Sequence, residues 1–129
     1  MKYQGKNSMY QLEVDKVRKI FHAHASGFFT VEDGKSFLTE YDKITKAFPA
    51  KDYALIIDAP DLKPSTPDVA EMLGLLLQKY MEVPFKKRFL ITKGNIVAIN
   101  QFKRLGKGIP GWTESVQYVD DIAAARLKA

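Results

Sequence analysis

The sequence contains no cysteine among its 129 residues. This absence excludes disulfide bonds, a thiol nucleophile and thiolate ligands for zinc or an iron–sulfur cluster. The sequence also lacks any apolar run close to the roughly 18 residues of a membrane-spanning helix, and its start lacks the basic-then-apolar pattern of an export signal. We therefore expect a cytoplasmic location and one domain, with residues 1–8 as a loose lead-in and residues 9–129 as the folded part.

Regularly spaced apolar residues predict five strands. Alternating apolar positions favour a hairpin over Met9–Val14 and Val17–Ala25. The run Tyr53–Ala59 is apolar on both alternations, which is typical of a central strand that is covered on both faces. The other two predicted strands are Phe85–Thr92 and Ser115–Val119.

Four helices are predicted between and after these strands. The first begins at Thr30, whose hydroxyl is suited to cap a helix, and ends before Pro49. The second has a continuous apolar stripe over Val69–Tyr80, which is the clearest helical pattern in the chain. A third helix runs through Ala98–Leu105, and a short fourth ends near Leu127.

The resulting order, β-β-α-β-α-β-α-β-α, indicates an α/β fold. Strands that alternate with helices favour parallel pairing through helical crossovers. We therefore predict a five-stranded mixed sheet with four helices, in which an N-terminal antiparallel hairpin is followed by parallel strands in sequential order.

Four stretches of the sequence resemble the SpoIIAA-like (STAS) domains, the family that includes anti-sigma-factor antagonists and STAS/SEC14-type bacterial proteins. They are Gly27–Thr30 before the first helix, Leu55–Asp58 at the end of a strand, the loop into the Val69–Tyr80 helix, and Val116–Asp121 before an alanine-rich final helix. The resemblance covers about residues 9–127. It implies a SpoIIAA-like β/α superhelix and a non-enzymatic, regulatory role that depends on a protein partner or a ligand.

The Asp-Ser-Ser-Gly motif of the family, in which one serine accepts a phosphoryl group, is not reproduced here. The corresponding loop reads Ser65-Thr66-Pro67-Asp68, and counting from Asp58 places Pro67 and Asp68 where the serines would fall. The equivalents of the family's switch loop are therefore Asp58, Ser65, Thr66 and Asp68. Capping of the following helix explains the two hydroxyls better than a phosphorylation switch does.

The two histidines of the sequence, His22 and His24, would lie on one face of a strand. Two imidazoles on one face are the beginning of a metal site, for which a distant Asp or Glu would have to supply the third ligand. The alternative, which we favour at this point, is a pair of half-exposed histidines that face solvent or the first helix.

Two further patterns suggest chemistry but have simpler explanations. Asp58 ends the central strand and Asp61 follows in the loop, where α/β enzymes place catalytic carboxylates, but a carboxylate that caps loop amides is the simpler interpretation. Gly106–Gly111 matches G-x-G-x-x-G, yet it follows a helix and contains a proline, so it predicts a helix end and not a dinucleotide site. We therefore predict no enzymatic activity and no cofactor.

Two apolar residues stand apart from the predicted core stripes. Trp112, in a loop rich in proline and glycine, is expected to cover the core. Leu75 falls on the polar side of its helix. A lone exposed leucine is ordinary, but next to Met81 it becomes a candidate contact residue.

The net charge of +5 is concentrated in one segment of the chain. Residues 83–113 contain seven basic residues and no acidic one, whereas the rest of the chain has 13 basic and 15 acidic residues. The predicted topology brings two basic groups of this segment to one edge of the sheet. They are Lys86, Lys87 and Arg88, and Lys103, Arg104 and Lys107.

These observations lead to two functional hypotheses. The first is a non-enzymatic SpoIIAA-like domain that binds a protein partner or a small apolar or anionic ligand, with a homodimer among the candidate assemblies. The alternative is binding of nucleic acid or acidic lipid headgroups through the basic edge. We favour the first, because runs of charge are usually solvated surface and few aromatic side chains are left to stack on bases.

Overall fold

The sheet organises the structure, a computed structural model that describes residues 1–63 and 66–129. Within these residues, six strands lie in the sheet in the same order as in the sequence. The first three strands pair antiparallel, and the third to the sixth pair parallel. The strands are β1 (Lys2–Gln4), β2 (Ser8–Asp15), β3 (Ile20–Gly27), β4 (Ala54–Asp58), β5 (Lys87–Ile91) and β6 (Val116–Val119).

Helices connect the parallel strands, so the predicted α/β class and the hairpin followed by parallel strands in sequential order are confirmed. The described part of the chain contains α1 (Val31–Thr45), α2 (Pro67–Glu82), α3 (Ile96–Gly106), α4 (Trp112–Ser115) and α5 (Ile122–Lys128). None of these helices is long and apolar enough to cross a membrane.

The prediction of a loose segment over residues 1–8 is wrong, because Lys2–Gln4 forms the edge strand β1. The ring of Tyr3 stacks on the ring of Tyr10 in β2, with the ring centroids 4.7 Å apart. The Tyr3 hydroxyl also donates a hydrogen bond of 2.9 Å to Asp33 in α1. These contacts attach the N-terminal segment, and the sheet has six strands instead of the predicted five.

The predicted number of helices is also too small. The residues Trp112–Ser115 form the one-turn helix α4 where the sequence suggested only a loop. Gly111 precedes this turn with a φ of +83°, a left-handed conformation that glycine adopts without strain. The turn buries Trp112, whose expected position over the core is therefore confirmed.

The two faces of the sheet are covered by different helices. On the face that we call the α1–α3 face, Tyr10, Phe21 and Leu55 pack against residues of α1, α2 and α3. On the opposite face, the α5 face, α5 packs over β4, β5 and β6 against a smaller apolar cluster that includes Ile56 and Phe89. The alternation of side chains along each strand thus separates the residues of the two faces.

A buried carboxylate holds the start of α1. Thr30 is the N-cap residue, as predicted, and Asp33 completes a capping box with it: the Thr30 hydroxyl accepts from the Asp33 amide, and the Asp33 carboxylate accepts from the Thr30 amide. The carboxylate also accepts hydrogen bonds from the hydroxyls of Ser8 and Tyr3. Burial works to raise the pKa of Asp33, but these hydrogen bonds outweigh it and hold the pKa below its ordinary value.

Candidate functional site

An apolar pocket opens between α1 and α2 on the α1–α3 face. We call it the α1–α2 pocket, and its walls include Ala25, Phe29, Gly34, Met72, Leu73 and Leu76. Its free volume is about 50 Å³, taken as the space that the centre of a water molecule can reach. A buried water needs roughly 10–15 Å³ by this measure, so the pocket admits a slender group of several atoms.

Small side chains create this space. Ala23 and Ala25 project from β3, and Ala59 follows β4, so three methyl groups stand where larger residues would fill the gap under the helices. Larger apolar residues at these positions would fill the pocket and give the packing density that is usual in protein interiors. The pocket is thus a consequence of residue size at the carboxyl ends of two central strands.

The wall contributed by α2 is an apolar stripe that the fold covers only in part. The helix predicted over Val69–Tyr80 is confirmed. Three residues of its stripe are buried: Val69, Leu77 and Tyr80. Three others line the pocket and stay half-buried: Met72, Leu73 and Leu76. A ligand that removes this apolar surface from water therefore binds with a favourable free energy.

The distance between α1 and α2 at the pocket depends on a glycine. A β-carbon on Gly34 would lie 3.1 Å from Cε and 3.2 Å from Sδ of Met72, closer than an ordinary contact. Gly74, on α2, has no heavy atom within 4 Å of the equivalent position. Gly34 and Gly74 therefore form a matched pair, in which only Gly34 has its Cβ direction blocked by a wall of the pocket.

A polar cluster lies on the α5 face, where the middle of β3 is beside the carboxyl end of β4. We call His22, His24 and Asp58 the histidine–aspartate cluster. The register of β3 against β4 pairs His24 with Asp58. One carboxylate oxygen of Asp58, Oδ2, lies 2.9 Å from Nε2 of His22 and 3.3 Å from Nδ1 of His24. The expectation that the histidines share a face is confirmed, but they do not face the first helix, since α1 packs on the other side of the sheet.

The cluster is charged and partly open to solvent. The hydrogen bond with Asp58 raises the pKa of His24 above its ordinary value, although burial opposes this shift. Burial works to raise the pKa of Asp58, but hydrogen bonds with the two histidines outweigh it and hold the pKa well below the ordinary value. The side chains of His22, His24 and Asp58 are 24%, 27% and 16% exposed, so a small ion can reach them.

Of the two carboxylates that the sequence offers as a cap for loop amides, Asp58 takes no such role with the described residues. Its carboxylate is instead paired with the two imidazoles of β3. Asp61, in the loop that follows, is exposed and lies near enough to His24 for its charge to raise the pKa of that histidine.

Sequence reasoning missed both the pocket and the third member of the cluster. Alternation along β3 was sufficient to place His22 and His24 together, but Asp58 joins them only through the register of β4. A one-residue shift of that register would turn Asp58 to the opposite face. For the pocket, the available signal was the alternation of Ala23 and Ala25 in a strand whose neighbours carry larger residues.

The equivalents of the family's switch loop do not form one site. Asp58 belongs to the histidine–aspartate cluster. Thr66 is the N-cap residue of α2, but its hydroxyl donates to Asp68 Oδ1 at 2.6 Å and caps no helix amide, so the expected capping by this hydroxyl is wrong. The Asp68 carboxylate accepts from the Val69 amide at 3.1 Å. Ser65 lies outside the described residues.

The predicted basic edge does not form as expected, because alternation along β5 sends neighbouring basic residues to opposite faces. Arg88 is mostly buried on the α1–α3 face and donates hydrogen bonds to the carbonyls of Tyr80, at 2.7 Å, and Val83, at 2.8 Å. These contacts satisfy the end of α2. Lys87 lies on the α5 face, where its Nζ donates to the Lys128 carbonyl at 2.7 Å.

Other basic residues of the predicted edge are exposed: Lys86, Lys103, Arg104 and Lys107. The last three lie at the C-terminal end of α3, and Lys103 sits 5.6 Å from the centre of the Tyr118 ring. The expected helix end at Gly106–Gly111 is confirmed, since α3 stops at Gly106. Leu75 is half-exposed, as its position on the polar side of α2 predicted, and its role as a contact residue stays a prediction.

The described residues define an α/β domain with a six-stranded mixed sheet, an apolar pocket on one face and a charged cluster on the other. No protein family model matches the chain, and no curated protein matches it at a significant level. Functional assignment therefore depends on the residues and the geometry of the chain itself.

Proposed function

We propose that this protein is a non-enzymatic SpoIIAA-like domain whose α1–α2 pocket binds a slender apolar ligand, such as an alkyl chain. The sequential strand order, the N-terminal hairpin and the three crossover helices on one face support the SpoIIAA-like assignment. The observation that carries the binding role is the half-buried apolar stripe of Met72, Leu73 and Leu76.

The size and chemistry of the pocket favour an alkyl chain over a bulky or polar ligand. The walls are almost entirely apolar, so a polar group placed there would lose its hydration without gaining hydrogen bonds. Each buried methylene contributes about 0.8 kcal/mol. A chain of about nine carbons would therefore contribute about 7 kcal/mol from burial, and the cost of association reduces this, so we expect a dissociation constant between about 10 µM and 1 mM.

Entry of a chain of this length requires a side chain to move. The end of the Met72 side chain lies next to the place that a β-carbon on Gly34 would occupy, and it forms part of the pocket wall. Methionine is unbranched and flexible, so it can change rotamer at low cost and open the space between the two helices. The protein thus has an adaptable wall on α2 and a fixed floor on the sheet.

The experiment is a titration of the protein with decanoate, followed by calorimetry and by NMR shifts of the alanine methyl groups. We expect binding with shifts at Ala25 and Ala59, and Gly34→Leu should weaken it by about tenfold or more because the new side chain occupies the pocket. Gly74→Leu is the matched control and should bind like the natural chain. Circular dichroism verifies that both variants fold.

Two results would contradict the proposal. One is the absence of decanoate binding by the natural chain at millimolar concentration. The other is equal binding by Gly34→Leu and Gly74→Leu, which would place the ligand elsewhere. Binding of an apolar peptide without any binding of decanoate would assign the pocket to a protein partner and would also overturn the alkyl-chain proposal.

A further inference from the structure

The histidine–aspartate cluster has no part in the α1–α2 pocket, because it lies on the opposite face of the sheet. It offers one ligand atom from each of His22, His24 and Asp58, and these three atoms lie within 4.8 Å of one another. Two nitrogen atoms and one carboxylate oxygen are therefore grouped in one partly exposed cluster.

We infer that this cluster is a binding site for a divalent transition-metal ion of the zinc type. Zinc binds imidazole nitrogen and carboxylate oxygen at about 2.0–2.2 Å, so two ligands of a tetrahedral site lie about 3.3 Å apart. The corresponding distances from Asp58 Oδ2 are 2.9 Å to His22 Nε2 and 3.3 Å to His24 Nδ1. Shifts of a few tenths of an ångström bring these two pairs to the separation that the metal requires. The two histidine nitrogens lie within 4.8 Å of each other, so the imidazoles must move closer together when a metal binds.

The backbone beneath the cluster is already fixed. β3 and β4 lie in the middle of the sheet, and each is paired with strands on both sides. The register that places Asp58 beside His24 is therefore held by the whole sheet and does not have to form when a metal binds. Binding costs little conformational entropy beyond that of three side chains.

The ligand set favours transition metals over magnesium and calcium. Magnesium and calcium take oxygen ligands, whereas imidazole suits zinc, copper, nickel and iron. Three protein ligands leave at least one position of the metal for water or another small molecule. The partial exposure of the two imidazoles places that position toward solvent.

A purely structural role for the same residues gives a different expectation. As a hydrogen-bonded cluster, the three side chains contact only one another and need no metal. As a metal site, the cluster must bind the ion directly through ring nitrogens that carry no proton. Direct observation of the imidazole nitrogens during titration therefore separates the two roles.

The experiment uses the full chain without a polyhistidine tag and titrates it with zinc chloride. We expect a single site with a dissociation constant on the order of 10 µM or tighter in calorimetry. In nitrogen-15 NMR spectra, the Nε2 resonance of His22 and the Nδ1 resonance of His24 should shift together at one equivalent of zinc. Magnesium chloride should cause neither change.

Variants locate the site. We expect zinc binding to weaken by about tenfold or more in each of three variants: His22→Asn, His24→Asn and Asp58→Asn. In other metal sites, loss of a residue that only hydrogen-bonds to a ligand already weakens binding by roughly 10–100-fold. Asp61→Asn is the matched control, because Asp61 contributes to the potential at His24 without belonging to the cluster. It should weaken binding by less than about threefold.

The inference fails if the natural chain binds no zinc at about 100 µM, or if zinc binds without shifting the resonances of both histidines. It also fails if Asp58→Asn and Asp61→Asn reduce binding equally, since that result indicates general attraction of a cation. The NMR titration of the natural chain decides the question even if a variant does not fold. Zinc binding should be unaffected by Gly34→Leu, which keeps this test separate from that of the pocket.

Discussion

Asp33 and Asp58 are two carboxylates whose pKa values are lowered in the same way but whose surroundings differ. Each is partly desolvated, and each has hydrogen bonds that outweigh the effect of burial. Asp33 is 5% exposed, and its carboxylate accepts from one amide, that of Thr30, and from two hydroxyls, those of Ser8 and Tyr3. Asp58 is paired with two half-exposed imidazoles of one strand.

The comparison shows that a lowered carboxylate pKa does not by itself identify a functional residue. The groups that donate hydrogen bonds to the carboxylate are more informative than its pKa. Amides and hydroxyls can only donate to Asp33, so that centre is closed and serves stability. The imidazoles beside Asp58 carry ring nitrogens that can bind a ligand, and they are partly exposed, so that centre is open to a ligand.

The largest expected effect is the destabilisation caused by Asp33→Ala. Removal of this carboxylate leaves the Thr30 amide and the hydroxyls of Ser8 and Tyr3 without their acceptor. We expect the free energy of unfolding, measured with urea, to fall by about 3 kcal/mol. Asp58→Ala should cost no more than about 1 kcal/mol, as for other partly exposed ion pairs. Equal losses in the two variants would break the distinction between a closed and an open centre.

Two basic residues of neighbouring sequence extend the comparison to cations. Arg88→Met removes the donors that satisfy the carbonyls at the end of α2, and we expect a loss of about 2 kcal/mol in unfolding free energy. Lys86→Met is the matched control at an exposed position and should stay within about 0.5 kcal/mol of the natural chain. A neutral Arg88→Met would contradict the structural role of this residue.

The pH dependence of stability sharpens the assignment of Asp33. Because its pKa is lowered in the folded state, its contribution is complete above the unfolded pKa of about 3.9 and is lost as pH falls through the lower, folded pKa. The difference in unfolding free energy between the natural chain and Asp33→Asn should therefore shrink below about pH 4. If this difference in unfolding free energy stays constant from pH 7 to the lowest pH measured, the charge of Asp33 has no part in stabilising the fold.

The smallest effect is expected at the C-terminal end of α3. Arg104→Glu should lower stability by only about 0.3–1 kcal/mol, through its unfavourable charge beside the negative end of the helix.

The combined charge reversal of Lys103, Arg104 and Lys107 tests the alternative function, the binding of anions by the basic surface. Fluorescence anisotropy with single-stranded DNA at low and high salt should show salt-dependent binding that this variant loses if the basic surface binds anions. Binding that the reversal leaves unchanged would exclude this surface.

The parts of the fold that sequence analysis could predict are those set by periodicity within one segment. The hairpin, the central strand at Tyr53–Ala59 and the helix over Val69–Tyr80 each repeat their pattern over several residues. β1 has only three residues, too few for a repeated pattern, and its hydrogen bond with Asp33 joins residues 30 positions apart. No local pattern can report such contacts.

The misassignment of Arg88 has a related cause. Counting charge along the chain treated three consecutive basic residues as one group, although alternation sends adjacent strand residues to opposite faces. The burial of Arg88 further depends on the carbonyls at the end of α2, which only the packing of that helix on the sheet brings within reach. The sequence shows that basic residues are concentrated in this segment, but only the fold shows which of them lie together on one surface.

The short strands at the two edges of the sheet have a consequence for aggregation. β1 and β6 contain three and four residues, so each edge offers few unpaired backbone groups to another chain. Behind β1 lies β2, a strand of eight residues that carries Tyr10 and Leu12. Loss of the first few residues of the chain would turn this long, partly apolar strand into an edge and expose the protein to edge-to-edge association. The N-terminal strand therefore acts as a guard against aggregation as well as a member of the sheet.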